Sequence, residues 1–155
     1  MEPDRIEVSR VGAEAIDSLL AIDDASFLRP WTRAMYESAF ASAVTRVHML
    51  TVGGLRVAYC SASIVAGELH ISNVAVLPAF RGRRLASHLL TVLLAEAESE
   101  GAPNATLEVR RSNRAALALY ERLGFRTTAV RADYYEEPVE DALILWRTAG
   151  PAGAR

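Results

Sequence analysis

The sequence predicts a mixed α/β fold, with antiparallel hairpins near the N-terminus and alternating strands and helices in the centre. Two observations support this prediction. Early runs of apolar and β-branched residues are separated by the glycine turns Gly53-Gly54 and Gly67, a pattern typical of hairpins. Between residues 69 and 130, strand-like runs alternate with segments whose apolar residues recur at helical spacing.

Seven stretches are predicted as strands, because each is rich in apolar or β-branched residues and bounded by turn residues. They are residues 6–8, 45–52, 55–65, 69–76, 106–109, 125–130 and 142–147. The Gly53-Gly54 pair connects the second strand to the third, and Pro78 ends the fourth.

Four stretches are predicted as helices from their apolar periodicity. They are residues 13–25, 33–41, 85–100 and 113–123. Asp23 falls on the apolar stripe of the first helix. Thr32 can cap the second, and Gly101 and Gly124 end the third and fourth.

The chain has 155 residues, of which 51% are hydrophobic and 23% charged, as in one soluble domain. We expect a single domain over residues 1–147 and a flexible tail over residues 148–155. A net charge of -2 argues against nucleic-acid binding, and no apolar run is long enough for a membrane span. With one cysteine and no export signal, we expect a cytoplasmic protein, and we expect it to be a monomer or weak dimer.

All 17 basic residues are arginines. The absence of lysine excludes phosphate-loop, kinase-type, Schiff-base and Ser-Lys chemistries. The single Cys60 excludes an internal disulfide and a multi-cysteine zinc site, and the three histidines lie far apart, so no metal site is expected.

Three candidate sites emerge. The arginine-rich turn at residues 81–84 precedes the N-terminus of the third helix, where free N–H groups attract anions; the alternative is a solvated basic cap. Glu108, in a short strand, and Tyr120, on the next helix, suit a general base and a proton donor; the alternative is a salt-bridged residue and a core aromatic. Tyr134-Tyr135, on an acidic loop, suit an amine or a peptide, or merely pack in a hairpin.

His70 and His88 are expected to be ordinary strand and helix residues rather than catalytic groups. The three histidines also show no HExxH spacing, the pattern of a zinc-binding helix.

Two motifs resemble the GNAT family of N-acetyltransferases. NVAVLPAFRGRRLASHLL resembles the family's acetyl-CoA motif, whose core is Gln or Arg, two residues, Gly, one residue, and Gly or Ala. LEVRRSNRAALALYERLGF is similar to its second motif. One position departs from the pattern, because Arg84 stands where the family has its first glycine.

The resemblance extends to the RimI type, the bacterial ribosomal-protein-alanine N-acetyltransferases, and covers nearly the whole chain. It is carried by the spacing of Glu108, Asn113 and Tyr120, by Tyr134-Tyr135 before Glu140-Asp141-Ala142, and by Pro30-Trp31. It implies a mostly antiparallel sheet of six to seven strands, splayed between the fourth and fifth, with about four flanking helices.

The resemblance also implies roles for individual residues. The acetyl-CoA-binding set would be Val74, Ala75, Val76, Arg81, Gly82, Arg83, Arg84, Leu85, Ala86, Asn113 and Tyr120. Glu108 would be the general base and Tyr120 the general acid. The substrate-binding set would be Leu28, Pro30, Trp31, Tyr134 and Tyr135.

The implied substrate is a protein N-terminus, such as the N-terminal alanine of a small-subunit ribosomal protein. Two alternatives stay open: a GNAT enzyme that acetylates a small-molecule amine, and a non-catalytic acyl-CoA-binding regulatory module. The Tyr-Tyr and Glu-Asp-Ala signature favours a peptide acceptor, and the presence of both Glu108 and Tyr120 favours catalysis.

Overall fold

The computed structural model describes residues 4–148, so all but the first residue of the predicted tail lies outside the described residues. The strands are β1 (Ile6–Arg10), β2 (Thr45–Val52), β3 (Leu55–Val65), β4 (Glu68–Val76), β5 (Asn104–Arg110), β6 (Arg126–Tyr135) and β7 (Glu140–Arg147). The helices are α1 (Ile16–Ser26), α2 (Arg33–Ala41), α3 (Leu85–Ser99) and α4 (Arg114–Arg122).

These elements confirm the predicted order of strands and helices. The first helix is preceded by a 3-10 turn at Ala13–Ala15, as is common at helix N-termini, and Gly12 before it offers no side-chain cap. Thr32 caps α2 as predicted, since its hydroxyl accepts a hydrogen bond from the Met35 N–H at 3.2 Å.

The strands form one mixed sheet in the order β1-β2-β3-β4-β5-β7-β6. The β4–β5 pair is parallel, whereas the β1–β2, β2–β3, β5–β7 and β6–β7 pairs are antiparallel. The mixed α/β class, with a mostly antiparallel sheet, is therefore confirmed. The β4–β5 register covers Glu68 to His70 against Asn104 to Thr106, and both strands continue beyond it.

The chain forms two compact units. Of the described residues, 4–63 and Asn73–Leu93 form the first unit, and Ile64–Ser72 and 94–148 form the second. The chain crosses from one unit to the other within β3, β4 and α3. Each unit is therefore built from two separate stretches of sequence.

The core of the first unit contains a buried polar network. Asp23, Tyr36 and Tyr59 are each no more than 1% exposed. Both tyrosine hydroxyls donate to the Asp23 carboxylate, and their oxygens lie 3.3 Å apart. Burial, followed by the hydrogen bond to Asp23, raises the pKa of both tyrosines, so they remain protonated donors.

The second unit carries the strand β6, which stands at the end of the strand order and is exposed over nearly its whole length. The sequence-based boundary for this strand, at Val130, was wrong, because β6 runs to Tyr135. Its register breaks between Arg131 and Tyr135, and Asp133 has a φ of 53°. An irregularity of this kind leaves residues unpaired and bends the strand locally. Tyr134 and Tyr135 thus end a strand rather than lie in a loop.

Candidate active site

Glu108 on β5 contacts His70 on the neighbouring parallel strand β4. Alternation along β5 buries Leu107 and Val109, as predicted, and leaves the Glu108 side chain on the other face, 21% exposed. The His70 Nε2 atom lies 3.0 Å from each Glu108 carboxylate oxygen. The register explains this contact, because His70 pairs with Thr106, two residues before Glu108.

The sequence-based reading of His70 as an ordinary strand residue missed this pair. The two residues are 38 positions apart, so no local motif connects them. A signal existed in principle: a parallel register between the fourth and fifth strands would have brought the two side chains to one face of the sheet.

Arg110, at the end of β5, fastens the turn between β6 and β7. Its guanidinium donates to the carbonyl oxygens of Glu136 and Pro138, at 2.8 and 2.9 Å, and to the Glu140 carboxylate at 3.3 Å. Its Cζ atom lies 4.5 Å from the centre of the Tyr135 ring. Arg110 therefore holds both this turn and Tyr135 in place.

Glu140 completes this clamp from the other side. Its carboxylate accepts hydrogen bonds from the Ser112 backbone N–H, at 2.6 Å, and from the Ser112 hydroxyl, at 2.9 Å. The Ser112 hydroxyl bond is the main cause of a pKa for Glu140 below its ordinary value of 4.5. The Glu140 carboxylate is thus held in its charged form.

The lowered pKa of Glu140 predicts a pH-dependent contribution to stability. A carboxyl group with a lowered folded-state pKa stabilises the fold above its ordinary pKa, and the effect is lost as the pH falls through the lowered value. At pH 7 the melting temperature of wild type should therefore be higher than that of Glu140→Gln. The difference between the two melting temperatures should shrink below about pH 4. Thermal melts between pH 7 and pH 3 measure it. Glu136→Gln, in the same turn, is the control; a gap independent of pH would contradict the prediction.

Tyr134 and Tyr135 form an aromatic pair at the end of β6. Their ring centres are 5.0 Å apart at an interplanar angle of 87°, and the Arg131 Cζ atom lies 4.7 Å from the Tyr134 ring. Burial is the main cause that raises the pKa of Tyr135 to about 12, and the charge of Glu108 contributes. The Tyr135 hydroxyl is therefore neutral near pH 7 and lies within electrostatic range of Glu108.

Tyr120 and Asn113, the other candidates in the second unit, lie on and before α4. Tyr120 is 8% exposed, and its ring packs against Phe125 with the ring centres 5.7 Å apart. Asn113 is the N-cap of α4 rather than its first helical residue, and its side-chain oxygen accepts a hydrogen bond from the Ala116 N–H at 3.1 Å. That oxygen is thereby engaged within the chain.

The candidate phosphate site in the first unit is the exposed turn at residues 81–84. The Arg81 Nε atom donates to the Val76 carbonyl oxygen at 2.9 Å, which ties the turn to the end of β4. The Arg83 guanidinium lies 5.0 Å from the centre of the Phe80 ring. Arg81 and Arg83 therefore stabilise the conformation of the turn through these contacts, and both also give it positive charge.

The start of α3 suits an anion. The Arg84 carbonyl accepts from the His88 N–H at 3.2 Å, so helical bonding begins at Arg84. The next three N–H groups, of Leu85, Ala86 and Ser87, have no acceptor within the helix. These groups, the dipole of a 15-residue helix and three arginines fit the pyrophosphate of acetyl-CoA. Of the β4 residues predicted to bind acetyl-CoA, Ala75 is buried, and Val74 and Val76 are half-buried.

Arg84 adopts a backbone conformation that favours glycine, with a φ of 59°. A left-handed conformation costs an L-residue about 1–2 kcal/mol, whereas glycine costs about 0.5–1 kcal/mol in lost backbone freedom. Arg84→Gly should therefore raise the free energy of unfolding by up to about 1 kcal/mol in urea titrations. Arg83→Gly, at a residue without a positive φ, should lower it. Equal effects of the two substitutions would contradict this account.

The residues expected to line the substrate side in the first unit lie between α1 and α2. Leu28 is 81% exposed, whereas Pro30 and Trp31 are half-buried. The Trp31 ring packs against Tyr36 with the ring centres 5.1 Å apart. This connection therefore combines one exposed apolar side chain with an anchored aromatic ring.

Comparisons with known proteins bear directly on this arrangement. The family model of the GNAT acetyltransferases matches residues 16–125. An Escherichia coli K12 protein named ribosomal protein bS18-alanine N-acetyltransferase is 37% identical over 121 residues, covering 75% of this chain and 79% of its own. A Bacillus subtilis protein with the same name, given provisionally, is 32% identical over 142 residues, covering 91% and 94%.

A solved structure agrees with these sequence matches. The crystal structure of the ribosomal-protein-S18-alanine N-acetyltransferase from Escherichia coli superposes with a TM-score of 0.88 and 30% identity. The match covers 97% of this chain and 98% of the other. Within residues 4–148, no helix is long and apolar enough to cross a membrane.

The fold, the turn before α3 and these matches define an acyltransferase that acts on amines. The chain belongs to the GNAT family of N-acetyltransferases, whose members take the acetyl group from acetyl-CoA. The predicted resemblance, including that to ribosomal-protein-alanine N-acetyltransferases, and the prediction of an enzyme are confirmed.

Proposed function

We propose that the protein acetylates the α-amine of a protein N-terminus, and that its acceptor is the N-terminal alanine of a small-subunit ribosomal protein. The observation that carries this proposal is the similarity, over most of both chains, to relatives named bS18-alanine N-acetyltransferases. Two features of the second unit support it: the Glu108 carboxylate on β5, and an ordered hairpin that presents Tyr134 and Tyr135.

The first unit would hold the acetyl donor. The N–H groups at the start of α3, with the turn Arg81-Gly82-Arg83-Arg84-Leu85-Ala86, would bind the pyrophosphate. The backbone of Val74-Ala75-Val76 would pair with the extended arm of the ligand, as an added strand does. Bound acetyl-CoA supplies the acetyl group as a thioester. Arg81 would also hold the turn at the end of β4, because its Nε atom donates to the Val76 carbonyl oxygen.

Glu108 would take the proton that the acceptor amine must lose. An α-amine has an ordinary pKa near 8, so its deprotonation costs only about 1.4 kcal/mol at pH 7. A carboxylate that accepts the proton directly or through one water is sufficient for this task. Glu108, on a strand and 21% exposed, is open enough to exchange the proton with solvent.

Tyr120 would act at the other end of the reaction by donating its hydroxyl proton to the leaving thiolate sulfur. Asn113 would contact the donor while its side-chain oxygen caps α4. On the acceptor side, Tyr134 and Tyr135 would contact the first residues of the peptide. Leu28, Pro30 and Trp31 are proposed separately as substrate-binding residues. The clamp formed by Arg110 and Glu140 keeps the tyrosines in place.

A peptide screen tests this function. Short peptides that differ in their first residues are incubated with acetyl-CoA, and thiol release and peptide mass are measured. We expect acetylation of peptides with an N-terminal alanine. Activity on small polyamines but on no peptide would point to the other class of acceptor and would overturn the proposal.

Glu108→Gln supplies the matched test of catalysis. At pH 7 we expect the acetylation rate of Glu108→Gln to be about tenfold below wild type, because only about a tenth of the amine is neutral without a base. Towards pH 9 this difference in rate should become smaller, since the amine then deprotonates unaided. Glu121→Gln, an exposed glutamate on α4, is the control with an expected rate near wild type. Equal rates for wild type and Glu108→Gln at pH 7 would remove Glu108 from the mechanism.

A further inference from the structure

We propose that His70 is a positioning residue, which holds the Glu108 carboxylate in one orientation from the adjacent strand. The inference rests on the proposed role of Glu108 as the general base. It concerns a contact within the second unit, between β4 and β5, where the parallel register is defined.

The contact between His70 and Glu108 involves both oxygens of the carboxylate. The His70 Nε2 atom is 3.0 Å from both Glu108 oxygens, so one ring N–H is shared by the whole carboxylate rather than given to one oxygen. A shared donor of this kind fixes the rotation of the carboxylate as well as its place. A glutamate side chain has three rotatable bonds, and an unheld base would spend much of its time in other rotamers.

Among the described residues, His70 is the group that holds the Glu108 carboxylate. Within residues 4–148, the Glu108 carboxylate has no hydrogen-bond partner except His70. Arg110, on the same strand and the same face, directs its guanidinium to the turn of the β6–β7 hairpin. Tyr135 lies within electrostatic range of Glu108 but makes no hydrogen bond to it. Loss of the imidazole would therefore leave the carboxylate without a fixed direction.

The exposure of His70 separates positioning from folding. Its side chain is 43% exposed, so truncation removes little buried surface and should leave the fold intact. It also leaves the space of the ring open to solvent, from which a small molecule such as imidazole can enter. A residue that matters only for stability would offer no such rescue.

Kinetics of His70→Ala and His70→Gln test the proposal. At pH 7, His70→Ala should lower kcat by up to about tenfold, no more than Glu108→Gln does, because its effect passes through the Glu108 carboxylate, and the KM for acetyl-CoA should be unchanged. Added imidazole should restore part of the rate. His70→Gln, whose amide can donate to the carboxylate, should retain most of it. His88→Ala, at an exposed histidine on α3, is the control with unchanged kcat.

A double variant shows whether His70 acts through Glu108. In a Glu108→Gln background, His70→Ala should cause no further loss, because the oriented group is already absent. An undiminished kcat for His70→Ala, or an equal loss in both backgrounds, would overturn the proposal.

A failure of the proposed function can be distinguished from a failure of the proposed role of His70. If wild type acetylates no peptide, the substrate assignment fails, and the His70 variants are then measured with whichever small amine is acetylated. A spectroscopic readout needs no acceptor: the ring-nitrogen NMR shifts of His70 should change on Glu108→Gln, while those of His88 stay in place. Unchanged His70 shifts would remove the contact on which the inference depends.

Discussion

Tyr120→Phe is expected to lower kcat for acetyl transfer by about 10²- to 10⁴-fold, the range for loss of a general acid. The phenol is the group proposed to protonate the departing thiolate, and phenylalanine removes the hydroxyl while keeping the ring. Because Tyr120 is 8% exposed and packs edge-on against Phe125, the ring contact should survive the substitution. Steady-state rates of thiol release with a peptide acceptor measure the effect.

A control distinguishes lost chemistry from lost structure. The KM for acetyl-CoA should stay near that of wild type if the hydroxyl acts on the leaving group and not on binding. Circular dichroism and a melting temperature close to wild type would confirm that α4 is intact. A variant that turns over at the wild-type rate would exclude Tyr120 as the acid.

Asp23→Ala is expected to lower the free energy of unfolding by about 1–6 kcal/mol, at about 1–3 kcal/mol for each buried donor left unsatisfied. Tyr59 would lose its acceptor, and Tyr36 would keep only the 3.3 Å contact with the Tyr59 oxygen. The tyrosines cannot turn to solvent, since Tyr36 and Tyr59 are no more than 1% exposed. Urea titrations followed by circular dichroism measure this change. Asp24→Ala, at the exposed neighbour on α1, should change stability by less than about 0.5 kcal/mol.

Removing the whole network should cost less than breaking it. The triple variant Asp23→Leu, Tyr36→Phe and Tyr59→Phe leaves no buried donor or acceptor of this group unsatisfied, so it should be more stable than Asp23→Ala alone. A triple variant less stable than the single one would show that the network contributes by more than satisfying its own members.

The order of the helices and strands followed from the sequence because each has a local cause. Apolar periodicity predicted α3, the Thr32 cap predicted the start of α2, and the Gly53-Gly54 pair predicted the turn between β2 and β3. The end of β6 did not follow, since its residues are exposed and lack a buried alternation. The irregularity at Asp133 depends on pairing with β7, and pairing partners are not visible in a local pattern.

The candidate site shows the same division. The alternation of β5 was enough to predict that Glu108 faces away from the core. The His70 contact was not, because it requires the register of two strands 38 residues apart. Asp23 could be predicted only in part. A carboxylate on the apolar stripe of α1 indicates that it has a buried polar partner. The stripe does not identify Tyr36 and Tyr59 as the partners.

The register break in β6 has a consequence for self-association. A ten-residue strand at the end of a sheet offers its backbone to any second copy of the chain, which is the usual start of edge-to-edge aggregation. Here the ladder is interrupted after Arg131, and the exposed charges of Arg126, Arg131 and Asp133 lie along the strand. A continuous intermolecular sheet would have to straighten the irregularity and accommodate these charged side chains in the new pairing. The register break in β6 thus protects the sheet edge against edge-to-edge aggregation.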